Sequence, residues 1–205
     1  MKNSEVGNRL GVVAFVLFLA EALLFILSWL LSATRMEGVR SLISSEGIRW
    51  FFGSWQSIVA SPLLVWILLG LIAWGSLRKS GLAPFSHLSS LISHLNYRDK
   101  LALRVSLAFL VIYLIILALL TLTPHAILLS ATGHLFPSAF SRSFVPIISF
   151  GVCLVSVTFG LVSGRLRSLA DVLNALSSGI AYGSSLIIVY LFAVQFYESL
   201  HFVFG

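Results

Sequence analysis

Charge is scarce in this chain. Only 10% of its 205 residues are Asp, Glu, Lys or Arg, against about a quarter in a soluble domain. A water-facing surface cannot be built from so few charged groups, so a soluble globular enzyme or binding module is excluded. Cysteine is nearly absent: Cys153 stands alone inside an apolar stretch, which rules out an intrachain disulfide and leaves the redox compartment unspecified. Also missing are a phosphate-binding glycine loop, a nucleophile motif, paired carboxylates at catalytic spacing and any nucleic-acid module. The reading is therefore of a chain without catalytic residues or cofactor, and not an enzyme.

What the chain has instead is apolar length. Hydrophobic residues make up 59% of it, and the mean hydropathy is +1.03. They are gathered into blocks of roughly 20 residues, enough to carry a helix across about 30 Å of hydrocarbon. The expected fold is an all-α integral membrane protein forming one transmembrane domain, 1–205. Its spans are placed at about 10–33, 58–77, 101–123, 144–164 and 180–204. The first block is too long for the apolar core of a signal peptide and reads as a retained helix.

Between the first two blocks, residues 39–56 mix apolar and charged positions. Arg49, Trp50 and Trp55 are the kinds of side chain that settle at a membrane interface, so an interfacial helix is expected there. Pro62 falls in the first turn of the second span, where its missing donor costs little. The third block stops at Pro124. The fifth apolar stretch, from about residue 173 to 204, is too long for one upright span, and its start, DVLNALSSGIAYGSS, reads as an interfacial piece or a break.

The net charge of +6 does not indicate nucleic acid, because the basic residues flank the apolar blocks rather than forming one patch. They set orientation. With the N-terminus inside, Lys2, Arg9, Arg78, Lys79, Arg98, Lys100, Arg104, Arg165 and Arg167 lie on the inner side, and Arg35, Arg40, Arg49 and Arg142 on the outer. Nine against four places the N-terminus in, the C-terminus out and the basic loop 78–100 in the cytoplasm of a multi-pass plasma (inner) membrane protein.

Glu21, in the middle of the first block, is the one acidic residue there, and an ionised carboxylate in hydrocarbon carries a heavy penalty. It reads as an ion or proton site, or as a protonated or hydrogen-bonded carboxyl that glues helices. The lack of a second intramembrane charge nearby favours the glue. Ala14, Glu21 and Ser28 recur at heptad spacing as a small, polar stripe. Ser156, Gly160 and Gly164, then Gly179 and Gly183, form small-residue steps that suit close helix packing within or between subunits.

Ser177, Ser178, Ser184 and Ser185 could offer hydroxyls to a cation, but such serines more often bond back to helix carbonyls. Gln195, Glu198 and His201 fall on one face of the last helix at i, i+3 spacing and read as an interfacial polar fringe rather than a metal or pH site. His87 and His94 in the basic loop lack a third ligand, so no metal site is assigned.

Two stretches resemble the p-aminobenzoyl-glutamate transporter (AbgT) family. The order LFLAEALLFILSWLLSA, GVRSLISSEGIRWFFGSW, SPLLVWILLGLIAWGSLRKSGL is similar to that family's N-terminal region, with SLISSEGIRW its most specific segment. RVSLAFLVIYLIILALLTLTP, then FVPIISF through FGLVSGRLRSLADV to AVQF, resembles its middle region. The resemblance implies a re-entrant hairpin and two spans between the second and third blocks, and a second hairpin and further spans after AVQF. Neither has a counterpart here, and no substrate residue carries over. Loss of an even number of crossings keeps the third block starting inside.

What remains corresponds to the family's scaffold and dimerisation core. The expected function is thus a membrane scaffold or assembly subunit, partnered by the lipid bilayer and by a second copy or another membrane protein. The alternative is a reduced secondary transporter, exporting p-aminobenzoyl-glutamate-like or other small organic anions as an oligomer or with a partner.

Overall fold

A computed structural model describes residues 2–34, 38–82, 96–122 and 139–205. Every regular element among them is a helix: α1 (Lys2–Ala33), α2 (Ser45–Gly53), α3 (Trp55–Val59), α4 (Pro62–Ser80), α5 (Tyr97–Leu122), α6 (Ala139–Arg142), α7 (Phe144–Val162) and α8 (Leu169–Phe204). Five of them, α1, α4, α5, α7 and α8, are long and apolar enough to cross a membrane. The chain divides into two compact units, Met1–Val65 with Gly183–Gly205, and Trp66–Tyr182, the division falling inside α4 and α8.

In the first unit α1 runs unbroken, as expected of a segment without proline. Most of its large apolar side chains, Phe15, Phe18, Leu23 and Trp29 among them, are exposed. Such a surface is stable only against lipid or protein. The C-terminal part of α8 lies parallel to α1: Phe18 meets Phe192 edge-on with ring centroids 6.1 Å apart, and further along Leu24 packs with Phe202 and Val203.

The helix expected over about 39–56 is found as two short ones, α2 and α3, preceded by irregular backbone. Residues 39–43 do not coil because their donors are engaged elsewhere. Arg40 N–H donates to Val203 O at 3.0 Å, and Leu42 N–H donates to Ser28 Oγ at 3.1 Å. Helix α2 then starts where the Ser44 hydroxyl accepts from Gly47 N–H at 3.0 Å, an N-cap. A side chain at Gly47 would strike the Ser41–Leu42 backbone. Trp50 stacks on Phe202, centroids 4.4 Å apart and planes 20° from parallel.

After α3, the Tyr190 hydroxyl donates to Val59 O at 3.1 Å and accepts from Ser61 Oγ at 2.5 Å. The break before Pro62 is thereby tied to α8.

In the second unit α5 packs along α7. The Tyr113 hydroxyl donates to Ile147 O at 2.8 Å, and its ring lies where a Cβ on Gly151 would be 3.0 Å away. Helix α7 ends in a Schellman turn. Gly164, at φ +78°, donates to Leu161 O at 3.1 Å, and Arg165 N–H reaches Gly160 O at 3.0 Å. Helix α8 then begins with reciprocal capping: Ser168 Oγ accepts from Asp171 N–H at 3.1 Å, and Asp171 Oδ2 accepts from Ser168 N–H at 3.0 Å.

No break follows. Helix α8 continues from Leu169 through the serine-rich stretch, and its 36 residues extend over roughly 54 Å at 1.5 Å each. The serines do not interrupt it: Ser177 and Ser178 donate back to Asn174 O and Ala175 O at 3.4 and 2.8 Å. Of the basic loop, Arg78 and Lys79 form the last turn of α4, and Arg98 and Lys100 lie at the start of α5. His87 and His94 lie outside the described residues.

Candidate functional site: a buried polar cluster on α1 and α8

Helix α1 turns one polar group inward in the middle of its apolar length. Glu21 is half-buried, and its Oε1 accepts from the Ser199 hydroxyl at 2.7 Å. One turn back on α8, Gln195 Nε2 donates to the same Ser199 oxygen at 3.4 Å. Ser199 is 0% and Gln195 3% exposed. The i, i+4 spacing stacks these two side chains on one face of α8, and the parallel run of α1 brings Glu21 against them. Along the two helices, the Phe18–Phe192 contact lies before these residues in sequence and the packing of Leu24 with Phe202 and Val203 after them.

Two atoms of this cluster are unsatisfied. Glu21 Oε2 and Gln195 Oε1 are both buried without a hydrogen-bond partner, and a buried acceptor left so costs about 1–3 kcal/mol. Among the described residues Glu21 has no ion-pair partner; the ion pair found there joins Arg165 and Asp99 in the other unit.

Sequence spacing alone grouped Gln195 with Glu198 and His201. Their surroundings separate them. Gln195 is buried and bonded to Ser199, whereas Glu198 and His201 line an open groove of about 370 Å³ with Arg40, Glu46, Trp50 and Phe202. Ser199 was not singled out, although its i+4 relation to Gln195 on an apolar helix was the available signal. Ser28, on the same stripe of α1 as Glu21, is fully buried and serves the backbone, accepting from Leu42 N–H and donating to Phe25 O at 2.9 Å.

The interfacial candidates also diverge. Arg49 bonds back to Ser45 O at 3.2 Å, Trp50 is half-buried on Phe202, and Trp55 is exposed beside Phe51.

The small residues of the second unit have distinct surroundings. A Cβ on Gly179 would meet the backbone of Leu71 and Gly75, so α4 and α8 touch main chain to main chain there. One on Gly160 would meet Leu166 and Ser80. Ser156 is fully buried with an unpartnered hydroxyl. Gly164 differs: open space lies where its Cβ would be, and its left-handed φ ends α7. Gly183, which belongs to the first unit, is half-buried. Among the described residues no three His, Cys, Asp or Glu side chains gather as a metal site would require.

Residues 41–202 match the AbgT putative transporter family. The chain belongs to this family. With five apolar helices of spanning length, it is a multi-pass membrane protein whose immediate surroundings are lipid. No curated protein matches the chain, and no solved structure does. Of the buried cluster, Gln195 and Ser199 lie within the AbgT match and Glu21 precedes it.

Proposed function

We propose that this AbgT-family protein is a membrane scaffold or assembly subunit, corresponding to the scaffold and dimerisation core of an AbgT-type transporter without its substrate-binding half. One observation carries the reading. Helix α4 ends at Ser80 and α5 begins at Tyr97, and the residues between are too few for even one span of about 20, where the family resemblance calls for a hairpin and two spans.

The surfaces suit such a role. Gly160 and Gly179 are already covered inside the second unit, so a partner subunit would use the large apolar faces of α1 and α5, where Phe15, Leu23, Leu107, Val111 and Leu114 are exposed. A second copy of the chain or another membrane protein is the partner this supports. The excess of Lys and Arg on the inner side supports N-terminus in and C-terminus out, in a plasma (inner) membrane.

A reduced transporter, working as an oligomer or with a partner, is the second reading. It draws on the unsatisfied atoms of Glu21 and Gln195, since uncompensated polar groups inside a membrane often mark ion paths. Mild solubilisation of native membranes followed by native mass measurement, alongside flux in liposomes, separates the two. A scaffold is recovered as a dimer or in fixed stoichiometry with another membrane subunit and carries no flux. A monomer that moves an organic anion would defeat the proposal.

A further inference from the structure

We infer that Glu21, Ser199 and Gln195 form a proton-binding site in which a proton on the Glu21 carboxyl is shared with the Gln195 side-chain carbonyl, linking α1 to α8. Such a site is an equilibrium state of the protein whether or not a solute is moved.

The hydrogen-bond inventory leads to it. Ser199 donates to Glu21 Oε1 and accepts from Gln195 Nε2, so its single proton and one lone pair are in use. What remains is an acceptor on Glu21, Oε2, and an acceptor on Gln195, Oε1, both buried and both lacking a donor. Two acceptors cannot satisfy each other. One proton taken from water solves both: an O–H bond forms at Glu21 Oε2, the carboxylate charge is removed, and the new hydroxyl donates to Gln195 Oε1. A metal cation is the poorer fit, because hard cations such as calcium gather six or more oxygens and three side chains present four, two of which are engaged.

The charged and titratable neighbours leave the site to itself. On α1 no other charged residue lies between Arg9 and the end of the helix. On α8, Tyr190 is bonded to Val59 and Ser61, Tyr197 is exposed, and Glu198 and His201 line the groove with Arg40 and Glu46. Arg49 of α2 is exposed and bonded to its own helix. None of these is a hydrogen-bond partner of Glu21 among the described residues, so a proton is the charge-compensating species the site can take up.

Infrared difference spectroscopy of the full chain in lipid nanodiscs, titrated with pH, tests this. At neutral pH the wild type is expected to show the C=O stretch of a protonated carboxylic acid that shifts on ¹³C-glutamate labelling, and to lose it at alkaline pH. The band disappears in Glu21→Gln and moves to higher frequency in Gln195→Leu, which keeps the acid and removes its acceptor. Replacing choline chloride with sodium chloride leaves it unchanged.

An absent acid band at neutral pH would overturn the inference, as would a band that survives Glu21→Gln, one that Gln195→Leu does not move, or one that sodium removes. An ionised Glu21 accepting from a rotated Gln195 amide is the state the first of these outcomes would reveal. Because ¹³C-glutamate marks all five glutamates of the chain, the shift of the labelled band in Gln195→Leu keeps the test decisive even if Glu21→Gln does not fold.

Discussion

Gly179 of α8 lies against Gly75 of α4 so closely that a methyl group on either would strike the other's backbone. Leu71 O is in the same contact. Gly179→Ala should therefore force the helices apart, costing about 1–3 kcal/mol. Gly70→Ala is the control, since nothing lies within 4 Å of its Cβ position; removing a mid-helix glycine there should stabilise by up to about 1 kcal/mol. Thermal unfolding in one detergent reads both, and opposite shifts are expected.

Gly164 calls for a different test. Its role is conformational, because φ is +78° and space for a side chain is open. Gly164→Ala should cost about 1–2 kcal/mol, the penalty of an L residue in the left-handed region. Gly164→Asn should recover part of it, which steric crowding would not allow.

Ser28 satisfies a backbone donor in the segment where 39–43 fail to coil. Ser28→Ala leaves Leu42 N–H buried without its acceptor, for a loss of about 1–3 kcal/mol. Hydrogen exchange at Leu42 should accelerate in the variant while exchange in α7 stays unchanged.

Arg165 binds three pieces of the second unit. Its guanidinium donates to Gly81 O at 2.9 Å and Ser80 O at 3.3 Å, pairs with Asp99 at 3.5 Å and lies over Phe159. Lysine cannot reproduce this fork. Arg165→Lys should lower stability by up to about 1 kcal/mol, a modest figure because the side chain is 38% exposed. Arg165→Met should lower it further. Equal effects of the two would show that the charge contributes nothing beyond the guanidinium fork, and no loss in Arg165→Lys would show that the charge alone matters.

These residues mark what the sequence disclosed. Long apolar blocks made the five spanning helices legible, because length and hydropathy are local properties, and the isolation of Glu21 in such a block pointed to a shielded carboxyl. Its partners were not legible. Ser199 is an ordinary serine until the parallel approach of α1 gives it a carboxylate, and Arg165 counts only as a positive charge until the end of α4 supplies carbonyls. Gly160 and Gly164 share a spacing, yet one sits beneath Leu166 and the other ends a helix, a difference set by φ and by neighbours distant in sequence. Of the two readings of residues 171–185, the break is not found, because Ser177 and Ser178 bond back within α8 instead of interrupting it.

The scaffold reading stands or falls most directly on flux. Wild type and Glu21→Gln, reconstituted in liposomes at matched density, are to be assayed for proton- or sodium-driven movement of p-aminobenzoyl-glutamate and related small organic anions. The expected result is no flux above protein-free liposomes for either. Coupled flux in the wild type that Glu21→Gln abolishes would contradict the account.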